Sequence, residues 1–263
     1  METLKVDRSE GVVTVTLNRP EKKNAINGRM WEELASVFAD VHAGTTDRVL
    51  VITGAGGDFC SGADLTGGGG DPQEHPVVRM RAVNDVALAL HRLVVPTVAR
   101  VDGVAVGAGC NLALGCDLIV ATERSRFSEI FVRRGLSLDF GGSWLLPRLV
   151  GMHKAKELAL LGDILSARDA LEMGLVNKVV ASEAALDEVV ADWSARLAAG
   201  PPLALAANKR LLGESLQRTM DQALEAEGLA QAANLSSADG IEARAAFRDK
   251  RTPVFTGRMS APG

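Results

Sequence analysis

The chain has 263 residues, a formal net charge of −4, 47% hydrophobic and 24% charged residues. These values suit one large folded domain and exclude wholesale disorder. A pI near 5.7 with a mean hydropathy of +0.10 argues against a nucleic-acid partner, since such proteins are usually basic. No Tyr is present, which removes any mechanism that needs a phenol. The three cysteines, Cys60, Cys110 and Cys116, are an odd number without paired spacing, so neither a disulfide framework nor a zinc site is expected. The opening METLKVDRSEG lacks the apolar core of a signal peptide. The most apolar stretch, Val101 to Ala121, is broken by Asp102, Asn111, Asp117 and several glycines. It reads as buried core and not as a membrane span. The expectation is a cytoplasmic protein with no membrane and no nucleic-acid partner.

Two short strands open the chain, Leu4–Val6 and Val13–Leu17, with Asp7 to Gly11 as a hairpin turn. Pro20 ends the second strand. From Arg29 to Ala43 apolar residues recur at three and four (Met30, Leu34, Val37, Phe38, Val41), which predicts a helix. Val49 to Thr53 is a continuous apolar run, the pattern of a strand buried on both faces. A Gly-rich loop from Gly54 to Asp64 follows. The tract Gly67–Gly70 with Asp71-Pro72 has little apolar content and is expected to be mobile. A helical pattern runs from Val78 to Leu93, then a strand from Thr97 to Val101, a short helix from Gly107 to Leu114 and a strand from Asp117 to Ala121. Strands alternating with helices predict an α/β layered core. Beyond Phe140 the pattern is mostly helical. Ser166 and Asp169 have capping-box spacing, and Ser182 starts an amphipathic helix with Leu186, Val189, Val190, Trp193 and Leu197 on one face. Gly200-Pro201-Pro202 marks a boundary. It divides a core of residues 1–199 from a helical region of residues 200–263, in which Leu216, Met220 and Leu224 share a stripe.

Two Gly-rich segments, Cys60–Asp64 and Val106–Cys110, each follow an apolar strand. Glycine allows close backbone approach and positive φ, and a helix starting at Gly107 presents free N–H groups. Two such groups converging on one oxygen make an oxyanion hole. Tight strand-to-helix turns would have the same composition. Neither segment matches the phosphate loop or the dinucleotide fingerprint, so nucleotide hydrolysis and NAD binding lose their main support.

Asn18–Ile26 (NRPEKKNAI), Thr53–Leu65 (TGAGGDFCSGADL) and Val101–Asp117 (VDGVAVGAGCNLALGCD) resemble the enoyl-CoA hydratase/isomerase family, the crotonases. Arg126-Phe-Ser, Gly141–Arg148, Gly162–Ala170, Gly174–Val179 and Ala246–Arg251 extend the resemblance in order over nearly the whole chain. It implies an α/β fold with a crotonase-like spiral core of ββα turns, and a C-terminal helical region that packs trimers or dimers of trimers. It implies an acyl-CoA substrate and no metal or redox cofactor, coenzyme A entering only as part of the thioester. Its shared chemistry is a thioester enolate held by two backbone N–H groups, here by motif match those of Ala63 and Ala108. One such donor is worth about 3 kcal/mol in a transition state.

The reaction depends on the acid and base. In the hydratase pattern two Glu hold a water. The matching positions here are Asn111 and Phe131, neither of which can act as a general base. Asp139, within LSLDFGGSWLLPR, matches the single Asp of an isomerase branch associated with phenylacetate degradation. One carboxylate suffices to take a proton from C2 of a 3-enoyl thioester and return it at C4. The same Asp139 could instead be a helix N-cap. Two alternatives stay open: a hydratase that recruits Glu129 or another carboxylate, and a non-catalytic acyl-CoA-binding member. Aryl-CoA chemistry with this Asp as nucleophile would need a partner His and an aromatic pocket; aromatics make up only 4% of the chain, and His91, alone in a helical run, reads as a surface or capping residue.

The resemblance also implies a set of CoA and substrate contacts. Lys23 and Lys250 match basic positions near the CoA phosphates, although each could be a plain surface Lys. Ala25, Ser61, Gly62, Asp64 and Leu65 match the segments bordering pantetheine and adenine. Gly107, Gly109 and Phe247 complete the set. Asp64 could equally be a loop hydrogen-bonder. Cys60 and Cys110, which flank the Gly-rich segments without a sequence-adjacent His, read as packing residues.

Overall fold

The computed structural model describes residues 1–66 and 75–258. The Gly67–Gly70 tract with Asp71-Pro72, where the sequence reading expects mobility, lies outside the described residues. Strands β1 (Leu4–Ser9) and β2 (Val12–Leu17) form an antiparallel hairpin around Glu10-Gly11. Both turn residues have positive φ, 49° and 80°, as a two-residue hairpin turn demands. The first strand runs three residues past the expected Val6. It is the sheet edge, so Asp7, Arg8 and Ser9 pair through their backbones while their side chains stay exposed.

Helix α1 (Gly28–Ala43) is capped by Asn27, whose side chain accepts from the Met30 N–H, and it buries the five apolar residues that its periodicity picks out. There follow β3 (Val49–Gly54), α2 (Pro76–His91), β4 (Thr97–Val101), β5 (Val104–Val106), α3 (Ala108–Leu114), β6 (Leu118–Thr122) and β7 (Arg126–Ser128). Next come α4 (Gly142–Leu161), β8 (Leu165–Ser166), α5 (Ala167–Glu172), β9 (Lys178–Val180) and α6 (Glu183–Ala198). The chain ends in α7 (Pro202–Glu214), α8 (Met220–Ser236) and α9 (Ala238–Asp249). Ser166 and Asp169 form the expected capping box, and Ser182 caps α6.

The main sheet has the order β1-β2-β3-β4-β6-β9, parallel from β2 onward. Alternate residues of β3 explain its continuous apolar run. Leu50 and Ile52 join the core formed with α1 and α2, whereas Val49 and Val51 join Val98 and Val120 under Leu186 and Val190 of α6. A parallel strand covered on both faces must be apolar throughout. A small second sheet, β5-β7-β8, is extended by a bridge between Cys60 and Ala105. Its three short strands lack the length to show a periodicity. Main strands β4 and β6 each lead into a short strand and then a helix, β4-β5-α3 and β6-β7-α4, and β3 does so through the Cys60 bridge before α2. This is the ββα spiral that the resemblance implies.

Helix α3 and the Cys60 segment meet without a gap. A Cβ at Gly109 would lie 2.4 Å from the Cys60 carbonyl oxygen and 2.7 Å from Cys60 Sγ. Gly109→Ala therefore forces the two segments apart and is expected to cost about 1–3 kcal/mol, read as a lower denaturation midpoint. An unchanged midpoint would show that the seam can spread without cost.

Candidate functional site

The loop after β2 is stitched to the loop after β3. Asn24 is fully buried at a φ of 55°, and its Nδ2 donates to the carbonyls of Ala55 and Asp58 at 2.8 and 2.7 Å. Asn is one of few residues besides Gly that accept this conformation readily. The Arg19 guanidinium reaches the Ala25 carbonyl (2.6 Å) and Asp64 Oδ2 (2.9 Å), with both side chains largely shielded. Ser61 N–H donates to the Lys23 carbonyl, Ile26 N–H to Gly62, and Asp64 N–H to Ile26.

This pairing determines which donors remain. The parallel bridge between Ile26 and Ala63 runs through the amides on either side of Ala63. The Ala63 N–H is therefore on the opposite edge. Ala108 is the first residue of α3, where no preceding helical carbonyl is available to its N–H. The two loops touch: a Cβ at Gly62 (φ +99°) would lie 2.8 Å from the Val106 carbonyl oxygen and 3.6 Å from the Ala108 nitrogen. Gly107, at φ 56° and ψ −127°, turns the chain into α3. Only glycine suits that conformation.

Both donors line a cavity of about 620 Å³. Its rim carries Lys23, Ala25, Ser61, Gly62, Asp64 and Leu65. Gly107 lies on its floor, and Val106, Ile130, Phe131 and Leu136 make an apolar wall that ends at Asp139. Ten of the thirteen residues singled out by the sequence thus border one space. Asp64 does so with its carboxylate already engaged by Arg19 and by the Thr66 N–H and hydroxyl. Gly109 packs on Cys60 behind the cavity. Phe247, 88% exposed on α9, and Lys250, the residue that ends α9, stand away from the cavity in the single chain.

Asp139 does not cap α4. The N-cap is Gly141 at φ 83°, with no side-chain cap bond, and it is the Asp139 main-chain carbonyl that accepts from Gly142 N–H at 2.9 Å. The Asp139 side chain is half-buried, and its Oδ1 is shielded without a hydrogen-bond partner. Burial pushes its pKa up to about 6. Phe140 follows at a φ of 45°, a strained value for a bulky residue, and its ring stacks on Trp31 at 5.3 Å.

Behind Asp139 lies a second carboxyl. Glu129 is 3% exposed, accepts from Asn111 Nδ2 at 3.3 Å and from the Cys110 thiol, and has an unpartnered Oε1. Burial pushes it up to about 7, and the nearby Asp139 adds to that rise. Asn111 and Glu129 do not line the cavity. The sequence offered one signal for this cluster, a Glu flanked by apolar residues in Phe127–Val132. The Arg-Pro turn points to Lys23 and Ala25 in sequence, whereas the Asn24 and Arg19 braces show only in the fold, because their partners Ala55, Asp58 and Asp64 lie more than thirty residues away. The thiols of Cys60 and Cys116 are pushed up to about 12 by burial, which fits packing and not nucleophilic chemistry. His91 lies edge-on to Trp144 at 5.1 Å and lines a different cavity, so it does not stand with Asp139.

Free backbone donors facing a desolvated carboxyl are equipment for forming and protonating an enolate. Comparison with known proteins gives the family. The enoyl-CoA hydratase/isomerase family model matches residues 7–258. The 1,2-epoxyphenylacetyl-CoA isomerase of Escherichia coli is 39% identical over 262 residues, spanning 98% of this chain and 100% of the relative. The 2,3-dehydroadipyl-CoA hydratase of the same organism is 35% identical over 271 residues, spanning 98% and 100%. Among solved structures, an enoyl-CoA hydratase from Bacillus anthracis superposes with a TM-score of 0.92 at 30% identity, over 97% of this chain and 100% of that one. One from Mycobacterium smegmatis gives 0.90 at 35% identity, over 96% and 98%. The chain belongs to the enoyl-CoA hydratase/isomerase family of acyl-CoA enzymes and has the crotonase fold.

Proposed function

We propose that this enzyme moves the double bond of an enoyl-CoA thioester from the 3- to the 2-position, with Asp139 as its single acid and base. The observation that carries the reading is the Asp139 carboxyl: it lines the cavity shared by the Ala63 and Ala108 N–H groups, and its buried Oδ1 is unpartnered. The thioester oxygen is held by the two N–H donors. Ionised Asp139 takes the C2 proton, the electron pair spreads onto the thioester oxygen and, through the 3,4-double bond, onto C4, and the protonated acid returns a proton at C4, leaving the 2,3-double bond. One proton is taken and one returned per cycle, so the cycle consumes no water and draws on no cofactor, and the proton held by Asp139 can exchange with solvent before it is returned.

Two further features support isomerisation over hydration. Asn111 and Phe131 stand at the places where a hydratase would hold its water, and the Phe131 ring closes the wall beside Gly107, 3.7 Å from where a Cβ there would sit. The relative named as an epoxyphenylacetyl-CoA isomerase favours the same side. Hydration has one observation in its favour, the buried Glu129 with its raised pKa, but that side chain does not reach the cavity wall. Lys23 at the rim is suited to the CoA phosphates. In the same reading Phe247 and Lys250 close over the nucleotide of a neighbouring copy. Helices beyond residue 199 then pack copies into a trimer or a dimer of trimers, which the exposed Leu216, Met220 and Leu224 support.

Asp139→Asn should lower turnover of a 3-enoyl-CoA by roughly a thousandfold or more while leaving CoA-ester affinity within about threefold. In deuterated water the native enzyme should exchange label at C2 and C4. Retained turnover in the Asn variant would sink the assignment, and crotonyl-CoA hydration lost on Glu129→Gln but kept in Asp139→Asn would favour the hydratase. Because the base must be ionised and its pKa stands at about 6, kcat/KM should fall tenfold per pH unit below that value and be level above it. Sedimentation should give a mass of three or six chains, and a monomer would remove the packing role from the C-terminal helices.

A further inference from the structure

Asn111 and Glu129 take no part in the cycle just described, yet both are buried and tied to the segment that carries Asp139. A single amide nitrogen, Asn111 Nδ2, donates to the Asp139 main-chain carbonyl at 2.9 Å and to Glu129 Oε2 at 3.3 Å. The Gly142 backbone lies directly on the same carboxamide, since a Cβ there would stand 2.5 Å from Nδ2. A carboxamide can present either its nitrogen or its oxygen to a neighbour. Two acceptors on one side, a carbonyl and a carboxyl oxygen, select the nitrogen. Without Glu129 only one acceptor would hold that orientation.

The segment held in this way needs an anchor. Phe140 and Gly141 both have positive φ, 45° and 83°. For Phe140 such a value persists only where the surroundings enforce it. The Asn111 bond grips the carbonyl immediately before this pair, and the Phe140 stack on Trp31 grips the ring within it. Together they determine where the Asp139 carboxyl stands relative to the Ala63 and Ala108 donors.

We propose that Glu129 is a positioning residue for Asp139: acting through the Asn111 carboxamide, it holds the Asp139–Gly142 turn in register with the two backbone N–H groups and does not touch the substrate. The inference rests on the reading of Asp139 as the acid and base. It assigns a role to the family position that in this chain carries Asn in place of a water-holding Glu.

Four variants test it by steady-state turnover of a 3-enoyl-CoA. Glu129→Met keeps the volume and removes the acceptor; Glu129→Gln keeps an acceptor oxygen; Asn111→Ala removes the donor; the fourth combines Glu129→Met with Asn111→Ala. Displacing a reacting group by about 1 Å costs on the order of a hundredfold. The Met and Ala variants should therefore lose roughly 10–100-fold in kcat with KM within about threefold, and Gln should restore kcat to within about threefold. The double variant should be no slower than the slower single one, because both remove the same link. If Glu129→Met does not fold, Asn111→Ala against Glu129→Gln carries the same comparison. Full kcat in Glu129→Met or in Asn111→Ala, or losses that multiply in the double variant, would overturn the positioning role. If Asp139→Asn is inactive while these variants are fully active, only this inference fails. If Glu129→Gln is inactive while Asp139→Asn turns over, Glu129 is itself the acid and base, and both readings fall.

Discussion

The site depends on one close approach, that of the Cys60–Asp64 segment to the turn leading into α3. Nothing larger than hydrogen fits at Gly109 against Cys60 or at Gly62 against Val106. The Cys60–Ala105 bridge holds the contact with main-chain bonds in both directions, Cys60 N–H to Val104 and Val106 N–H to Cys60. From this contact follow the position of the Ala63 and Ala108 amides, the opening of the cavity between them and the direction in which α3 leaves. Donors made from backbone are fixed by the fold itself, so they need no reorganisation when charge develops on a bound oxygen. They also tolerate side-chain change, so Ala at both positions is compatible with the proposed role.

Catalytic readiness here opposes stability. Asp139 and Glu129 are both held above the usual carboxylate range, at about 6 and about 7, mainly by burial. The folded state therefore binds these two protons more tightly than the unfolded chain. Their favourable contribution is fully present below about pH 4, where both states are protonated, and it is lost as pH rises through the two raised values. The ionised Asp139 that the proposed cycle requires belongs to the pH range in which that contribution is gone. A carboxyl that cost nothing to ionise would be well solvated and a weaker base.

Much of this was legible in the chain. The buried run Val49–Thr53, the helix with Met30, Leu34 and Phe38, and the capped starts of α5 and α6 follow from periodicity and local hydrogen bonding, which neighbouring residues determine. The two Gly-rich turns were legible as turns, and their order with Asn18–Ile26 and Gly141–Arg148 pointed to the family. The short strands β5, β7 and β8 were not legible, because three residues or fewer carry no period and their pairing is set by segments distant in sequence. The Glu129–Asn111–Asp139 cluster was obscured for a related reason. Linear alignment placed Glu129 two residues from a familiar position, whereas the turn after β7 directs it inward beneath Asp139. The exposure of Leu216, Met220 and Leu224 likewise could not be read from a stripe that would look the same on a buried helix.

The order of the main sheet has a bearing on how the molecule is made. From β1 to β9 its strands stand in the order in which they are synthesised, so each finds the edge of its predecessor already waiting. No strand has to be inserted between two that have already paired. A growing chain can thus assemble its sheet from the N-terminal end, adding one loop closure at a time. The same order leaves an exposed flank at every stage. Once β6 has docked, its free edge stays open until Lys178–Val180 arrives to cover it, well after Asp139 has emerged. In that interval the nascent chain carries Ala63, Ala108 and Asp139 beside an unprotected apolar strand edge, a combination open to capture by another copy.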